Sequence, residues 1–128
     1  MYIDITTNNV LSITNENELH NAVVNYLKQT DLMFSCPLPV NLNTDTLRIE
    51  AIKKGYTCGM PDIIVYSPNS KYNGLCFELK SPKGTGNLSK KQYDVLDNFQ
   101  TECKYFCLVS NDYSVIIEVL VKYMYDIL

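Results

Sequence analysis

GMPDIIVYSPNSKYNGLCFELK, residues 59–80, carries three charged side chains outside its central loop: Asp62, Glu78 and Lys80. Two apolar runs, DIIVY (62–66) and GLCFELK (74–80), flank SPNSKYN, whose Pro, Asn and Ser suit a turn. The stretch therefore reads as an antiparallel hairpin. Along the second strand, alternation puts Leu75, Phe77 and Leu79 on one face and Cys76, Glu78 and Lys80 on the other. With the turn near residues 70 and 71, the residue opposite Asp62 falls near 79. The Asp62 and Glu78 carboxylates then come from neighbouring strands at one level.

Two carboxylates so close repel each other unless a cation lies between them. A hard divalent ion such as Mg²⁺ suits this donor set, because it takes one or two carboxylates and completes its shell with water and substrate phosphate. The main-chain carbonyl of Leu79 lies between the two positions and offers a further ligand. Lys80 is then placed to lower the pKa of an attacking water or to stabilise charge developing on a phosphate. The plainer alternative makes Asp62 a turn cap after Pro61, with Glu78 and Lys80 on a solvated strand face.

Working outward, ENELHNAVVNYLKQT (16–30) has helical spacing of Leu19, Val23 and Leu27, with Thr14 or Asn15 as N-cap. At about 100° per residue, Glu16 falls on the inward side of that helix and Glu18 does not. Glu16 is thus a further candidate ligand, or simply a favourable partner of the helix dipole. LMFSCPLPV (32–40) begins as a strand and is stopped by its prolines. TDTLRIEAIKKG (44–55) reads as a short helix opened by Thr44 or Asp45 and closed by Gly55. After the hairpin, SPKGTGN (81–87) is a loop, LSKKQYDVLDNFQTE (88–102) a helix, and CKYFCLVS (103–110) a strand. DYSVIIEVLVKYMYDIL (112–128) is a terminal helix capped by Asn111 or Asp112 and expected to pack on the sheet. The order α-β-α-β-β-α-β-α predicts an α/β sandwich with a mixed sheet.

The chain has 128 residues, 46% of them hydrophobic, which suits a single domain spanning 1–128. No apolar run approaches the roughly 18–20 residues of a membrane span, and the N-terminus lacks a signal-like core. An intracellular protein, in the cytoplasm or nucleus of its cell or of an infected host, is expected. Five scattered cysteines without a CxxC pair, and one histidine, argue against zinc. The net charge of −3 hides an asymmetry: residues 48–91 hold eight basic and three acidic side chains, the remainder three basic and eleven acidic. A positive centre suits an anionic partner. Lys53, Lys54, Lys83, Lys90 and Lys91 flank the hairpin and are candidate phosphate contacts, although each alone also reads as an ordinary solubilising lysine.

GMPDIIVY, then FELK, then GTGNLSKKQ resembles the PD-(D/E)xK nuclease superfamily, most closely its VRR-NUC branch, over about residues 16–110. The resemblance implies a restriction-endonuclease-like core with a mixed central β-sheet flanked by helices. It implies that Asp62 and Glu78 bind catalytic Mg²⁺ or Mn²⁺, that Lys80 is the catalytic lysine, that Glu16 matches the acid of the first helix, and that Gln92 matches a helix glutamine beside the site. It further implies a stand-alone phage or viral type acting as a homodimer on branched DNA such as Holliday junctions. A flap or repair nuclease, endo- or exonucleolytic, would use the same residues. A catalytically silent DNA-binding module of this fold is the third alternative.

Overall fold

The structure, a computed structural model, describes residues 13–37, 43–82 and 87–128. Eight elements follow in the expected order: α1 (Glu16–Leu27), β1 (Phe34–Ser35), α2 (Asp45–Lys53), β2 (Ile63–Val65), β3 (Gly74–Leu79), α3 (Lys90–Thr101), β4 (Tyr105–Ser110) and α4 (Tyr113–Met124). The strands form one sheet in the order β1-β2-β3-β4, antiparallel except for the parallel pair β3–β4. The sheet is mixed because α3 carries the chain back across it between β3 and β4, as a parallel connection requires.

Side-chain alternation along β3 separates two cores. Leu75, Phe77 and Leu79 face α1 and α4 and join Leu19, Val23, Leu27, Val115, Ile116, Val119, Leu120 and Tyr123 in the larger cluster. Cys76 faces the other way and joins Ile64 and Leu96 beneath α3. Each fully buried aliphatic or aromatic side chain contributes roughly 1.5–3 kcal/mol. The two faces thus pin β3 against a one-residue slip, which would exchange Phe77 with Glu78.

The helix ends follow local chemistry. Asn15 caps α1 through the Glu18 amide, Thr44 caps α2 through the Leu47 amide, and Asp112 caps α4 through the amides of Ser114 and Val115. The helix expected from Leu88 begins two residues later, because Ser89 accepts from the Gln92 amide while the Gln92 side chain accepts from the Ser89 amide. That reciprocal capping box satisfies two donors that the first turn would otherwise leave unpaired. The terminal helix stops at Met124 rather than 128. Asp126 there takes a left-handed φ of 60°, and Ile127 is exposed instead of extending the apolar face. The strand expected to begin in 32–40 and to stop at its prolines spans Phe34–Ser35 and ends before Pro37, while positions 38–40 lie outside the described residues. No helix among the described residues is long and apolar enough to cross a membrane.

Candidate functional site

The register of the hairpin settles where the two acids meet. Ile63 pairs with Phe77, Ile64 with Cys76 and Val65 with Leu75, so the turn centres on Ser70. One step further along that register, Asp62 faces Glu78, at the level expected from the sequence. In the loop, Asn69 Oδ1 accepts from the amides of Lys71 and Tyr72, and the Asn69 backbone amide donates to the Tyr72 carbonyl. Directly opposed residues of an antiparallel pair project to the same side, so the carboxylates stand together.

Glu78 is only 3% exposed. Its Oε1 accepts a 2.9 Å hydrogen bond from Gln92 Nε2, whereas its Oε2 is buried with no hydrogen-bond partner. Burial, then the neighbouring Asp62 carboxylate, push the Glu78 carboxyl up to about 8. Lys80 pulls the other way, and Glu16 adds a smaller upward push. Asp62 is half-buried and oriented by the backbone: its Oδ2 accepts from the Leu79 amide at 2.7 Å. A strand residue thus ties the aspartate to the rung that carries the glutamate.

Lys80 follows at the end of β3, its amide bonded to the Ser110 carbonyl at 3.0 Å and its ammonium only 3.5 Å from the Asn87 carbonyl. That contact is long enough to be weak, so the cation is available on the face that Glu78 shares. Glu16 stands at the first position of α1 and is exposed, and its charge reaches Glu78, so it borders the candidate site. The first turn of a helix projects past the packed face, so its periodic position does not imply burial. Glu18 is engaged at the same helix end by Asn15 and Thr14.

A glycine joins this hairpin to α3. Gly59 has a φ of +82°, and a Cβ there would lie 2.9 Å from the Lys91 carbonyl carbon and 3.1 Å from the Gln92 nitrogen. The chain preceding Asp62 therefore lies against the first turn of α3, the turn that delivers Gln92 to Glu78. Gly59 meets both a left-handed conformation and a close backbone approach, which a side chain would obstruct. The S-x-x-Q pattern at 89–92 was the available sign that Gln92 sits at a helix start; nothing local signals the Gly59 contact.

The candidate phosphate contacts Lys53, Lys54, Lys90 and Lys91 are all exposed. Lys90 is paired with Asp94 at 3.0 Å. Lys83 lies outside the described residues. Cys76 and Cys107, adjacent across β3–β4 with sulfurs 2.7 Å apart, form a thiol pair on the face beneath α3 that sequence spacing does not reveal. The remaining cysteines are scattered, with Cys58 and Cys103 exposed and Cys36 half-buried.

Among the described residues, no group of three or more His, Cys, Asp or Glu side chains is gathered as a cation site. The donors that do converge are hard oxygens: two opposed carboxylates, one with an orphaned buried atom. A buried carboxylate oxygen without a donor is costly, and an oxygen-seeking divalent ion that retains several waters fits it with few protein ligands.

No family model matches the sequence, and no curated protein matches it either. A solved structure described as a VRR_NUC domain protein superposes with a TM-score of 0.70 at 20% identity, covering 89% of this chain and 91% of that one. The fold is that of a VRR_NUC domain, the restriction-endonuclease-like α/β architecture expected from the PD and ExK strands.

Proposed function

We propose that this chain is a metal-dependent nuclease of the PD-(D/E)xK type, acting as a structure-selective DNA endonuclease. The observation that carries the reading is the buried Glu78 carboxylate, with one oxygen held by Gln92 and the other without a donor, facing Asp62 and followed on its own face by Lys80. Structural likeness to a VRR_NUC domain protein supports it. Asp62, Glu78 and the main-chain carbonyl of Leu79 would hold Mg²⁺ or Mn²⁺, with Glu16 reaching it directly or through water. Bound there, the ion would polarise the scissile phosphate and a ligated water.

The residues divide the remaining work. Gln92 keeps Glu78 turned toward the site, and the Leu79 amide keeps Asp62 in place. Lys80 orients the attacking water and stabilises charge on the phosphate as the water oxygen bonds to phosphorus and the P–O bond to the leaving oxygen breaks. The water's proton passes to solvent, and the leaving oxygen is protonated in turn. Lys53, Lys54, Lys90 and Lys91 would contact flanking phosphates, positioning without reading sequence. Selectivity for structure follows from such contacts, and branched DNA, bound by a homodimer, is the substrate we favour.

The deciding experiment is cleavage of labelled four-way junction, 5′ flap, single strand and linear duplex with Mg²⁺, Mn²⁺ or EDTA. Wild type is compared with Asp62→Asn and Lys80→Ala. Symmetric, metal-dependent cutting of the junction by wild type alone supports a junction resolvase. Cutting of flaps or ends makes it a repair nuclease on the same residues. Binding without any cleavage, unchanged in both variants, would leave a silent DNA-binding module and sink the catalytic reading.

A further inference from the structure

Helix α2 has no buried residue. Leu47, Ile49 and Ile52 are 37%, 54% and 53% exposed, a density of large aliphatic side chains in water that ordinary surfaces avoid. Ile49 and Ile52 are three residues apart and share the outer face, whereas Ala51, half-buried, marks the side toward the body. The charges beside them are mixed, with the basic ones at the end of the helix. Lys53 and Lys54 end the helix, Asp45 is paired with Arg48 at 2.7 Å, and Glu50 is the remaining acid.

The C-terminal end of this helix leads to the candidate site. Downstream, the turn after Lys54 leads within five residues to Gly59, seated on the Lys91–Gln92 backbone. The exposed aliphatic face is therefore carried on the segment that runs into the candidate site.

Its size speaks to what covers it. Nine residues make a helix roughly 14 Å long and about 10 Å across, with an outer face on the order of 150 Å², against roughly 800 Å² per partner in a stable protein interface. A face so small, with lysines at its end, suits a nucleic acid whose bases are already unstacked. Cations take the phosphates while aliphatic side chains press against base faces, as apolar wedges do in bent or opened DNA. We infer that α2 is a wedge that engages unstacked bases of the substrate beside the cutting site, through Ile49 and Ile52. This rests on the nuclease reading and narrows its substrate to DNA with a branch point or an open end.

The test uses Ile49→Gln combined with Ile52→Gln. Both sites are exposed and Gln is at least as good a helix former as Ile, so circular dichroism should show an unchanged fold. The probe is a four-way junction with 2-aminopurine at the branch, titrated in EDTA beside a matching linear duplex. Wild type should raise the 2-aminopurine fluorescence. The double variant should bind the junction about ten-fold more weakly, without that rise, and the duplex within about two-fold of wild type.

Equal junction affinity and an equal fluorescence rise in the variant would overturn the wedge, and the nuclease reading would survive if wild type still cuts. A variant that falls from dimer to monomer by light scattering would make a second copy the occupant, and overturn it too. Wild type that neither binds nor cuts any of these DNAs would remove both readings together.

Discussion

Gln92 holds the buried carboxylate Glu78 with one end of its amide and the start of α3 with the other. Nε2 donates to Glu78 Oε1 at 2.9 Å, while Oε1 accepts from the Ser89 amide at 2.9 Å. Helix capping and site geometry thus depend on one side chain, and neither function can be altered alone.

Gln92→Ala should therefore lose stability and activity together. Loss of half a capping box and of a donor to a buried carboxylate costs on the order of 1–3 kcal/mol. Urea unfolding measures the first effect and metal-dependent cleavage the second. A variant with unchanged unfolding midpoint would contradict the double role.

Glu78 makes the metal-free protein sensitive to alkali. Its folded pKa of about 8 lies above the ordinary carboxylate value of 4.5, because burial and Asp62 disfavour the charged form. The folded state binds the proton more tightly, so this group's contribution to stability is present below about pH 4.5 and is lost as pH rises toward 8. In EDTA, Glu78→Gln should melt above wild type at pH 8, by on the order of a few kcal/mol, and converge with it near pH 4.5. Mg²⁺ or Mn²⁺ should raise the melting temperature of wild type at pH 8 and leave Glu78→Gln nearly unmoved. Identical responses to the cation in both proteins would argue against a site at Glu78.

Gly59→Ala should separate the hairpin from α3. The new methyl would meet the Lys91 backbone at 2.9 Å and carry the strain of a φ of +82°. A loss on the order of 1–3 kcal/mol is expected. Hydrogen exchange at residues 90–92 should accelerate more than at the β3–β4 ladder. Uniform acceleration across the fold would indicate a merely global effect.

Lys80→Met should spare the fold and abolish most cleavage. The chain ends of β3 and β4 keep their Lys80–Ser110 backbone bond whatever the side chain. Removing a cation that stabilises transition-state charge typically costs about 10²–10³ in rate. Because Lys80 lowers the Glu78 pKa, its removal should also move the alkaline loss of stability in EDTA to higher pH. Full activity in the folded variant would exclude Lys80 from the chemistry.

The order of the eight elements, the division of β3 into a face of Leu75, Phe77 and Leu79 and a face of Cys76 and Glu78, and the nearness of Asp62 to Glu78 were all legible in the sequence. Each rests on a short-range rule: a period of two in strands, a helical period in α1 and α4, and a turn whose length limits the register. Other features were decided by tertiary structure. The exact register, with Asp62 opposite Glu78, is set by the ladder that centres the turn on Ser70. Glu16 came out exposed because its helix begins where the packed face ends, and α2 lies unburied although it carries Leu47, Ile49 and Ile52. Gly59 meets Lys91 only in space, across more than thirty residues of chain. Periodicity reports which way a side chain points along its own element; what lies opposite it depends on how distant elements pack, and no local pattern encodes that.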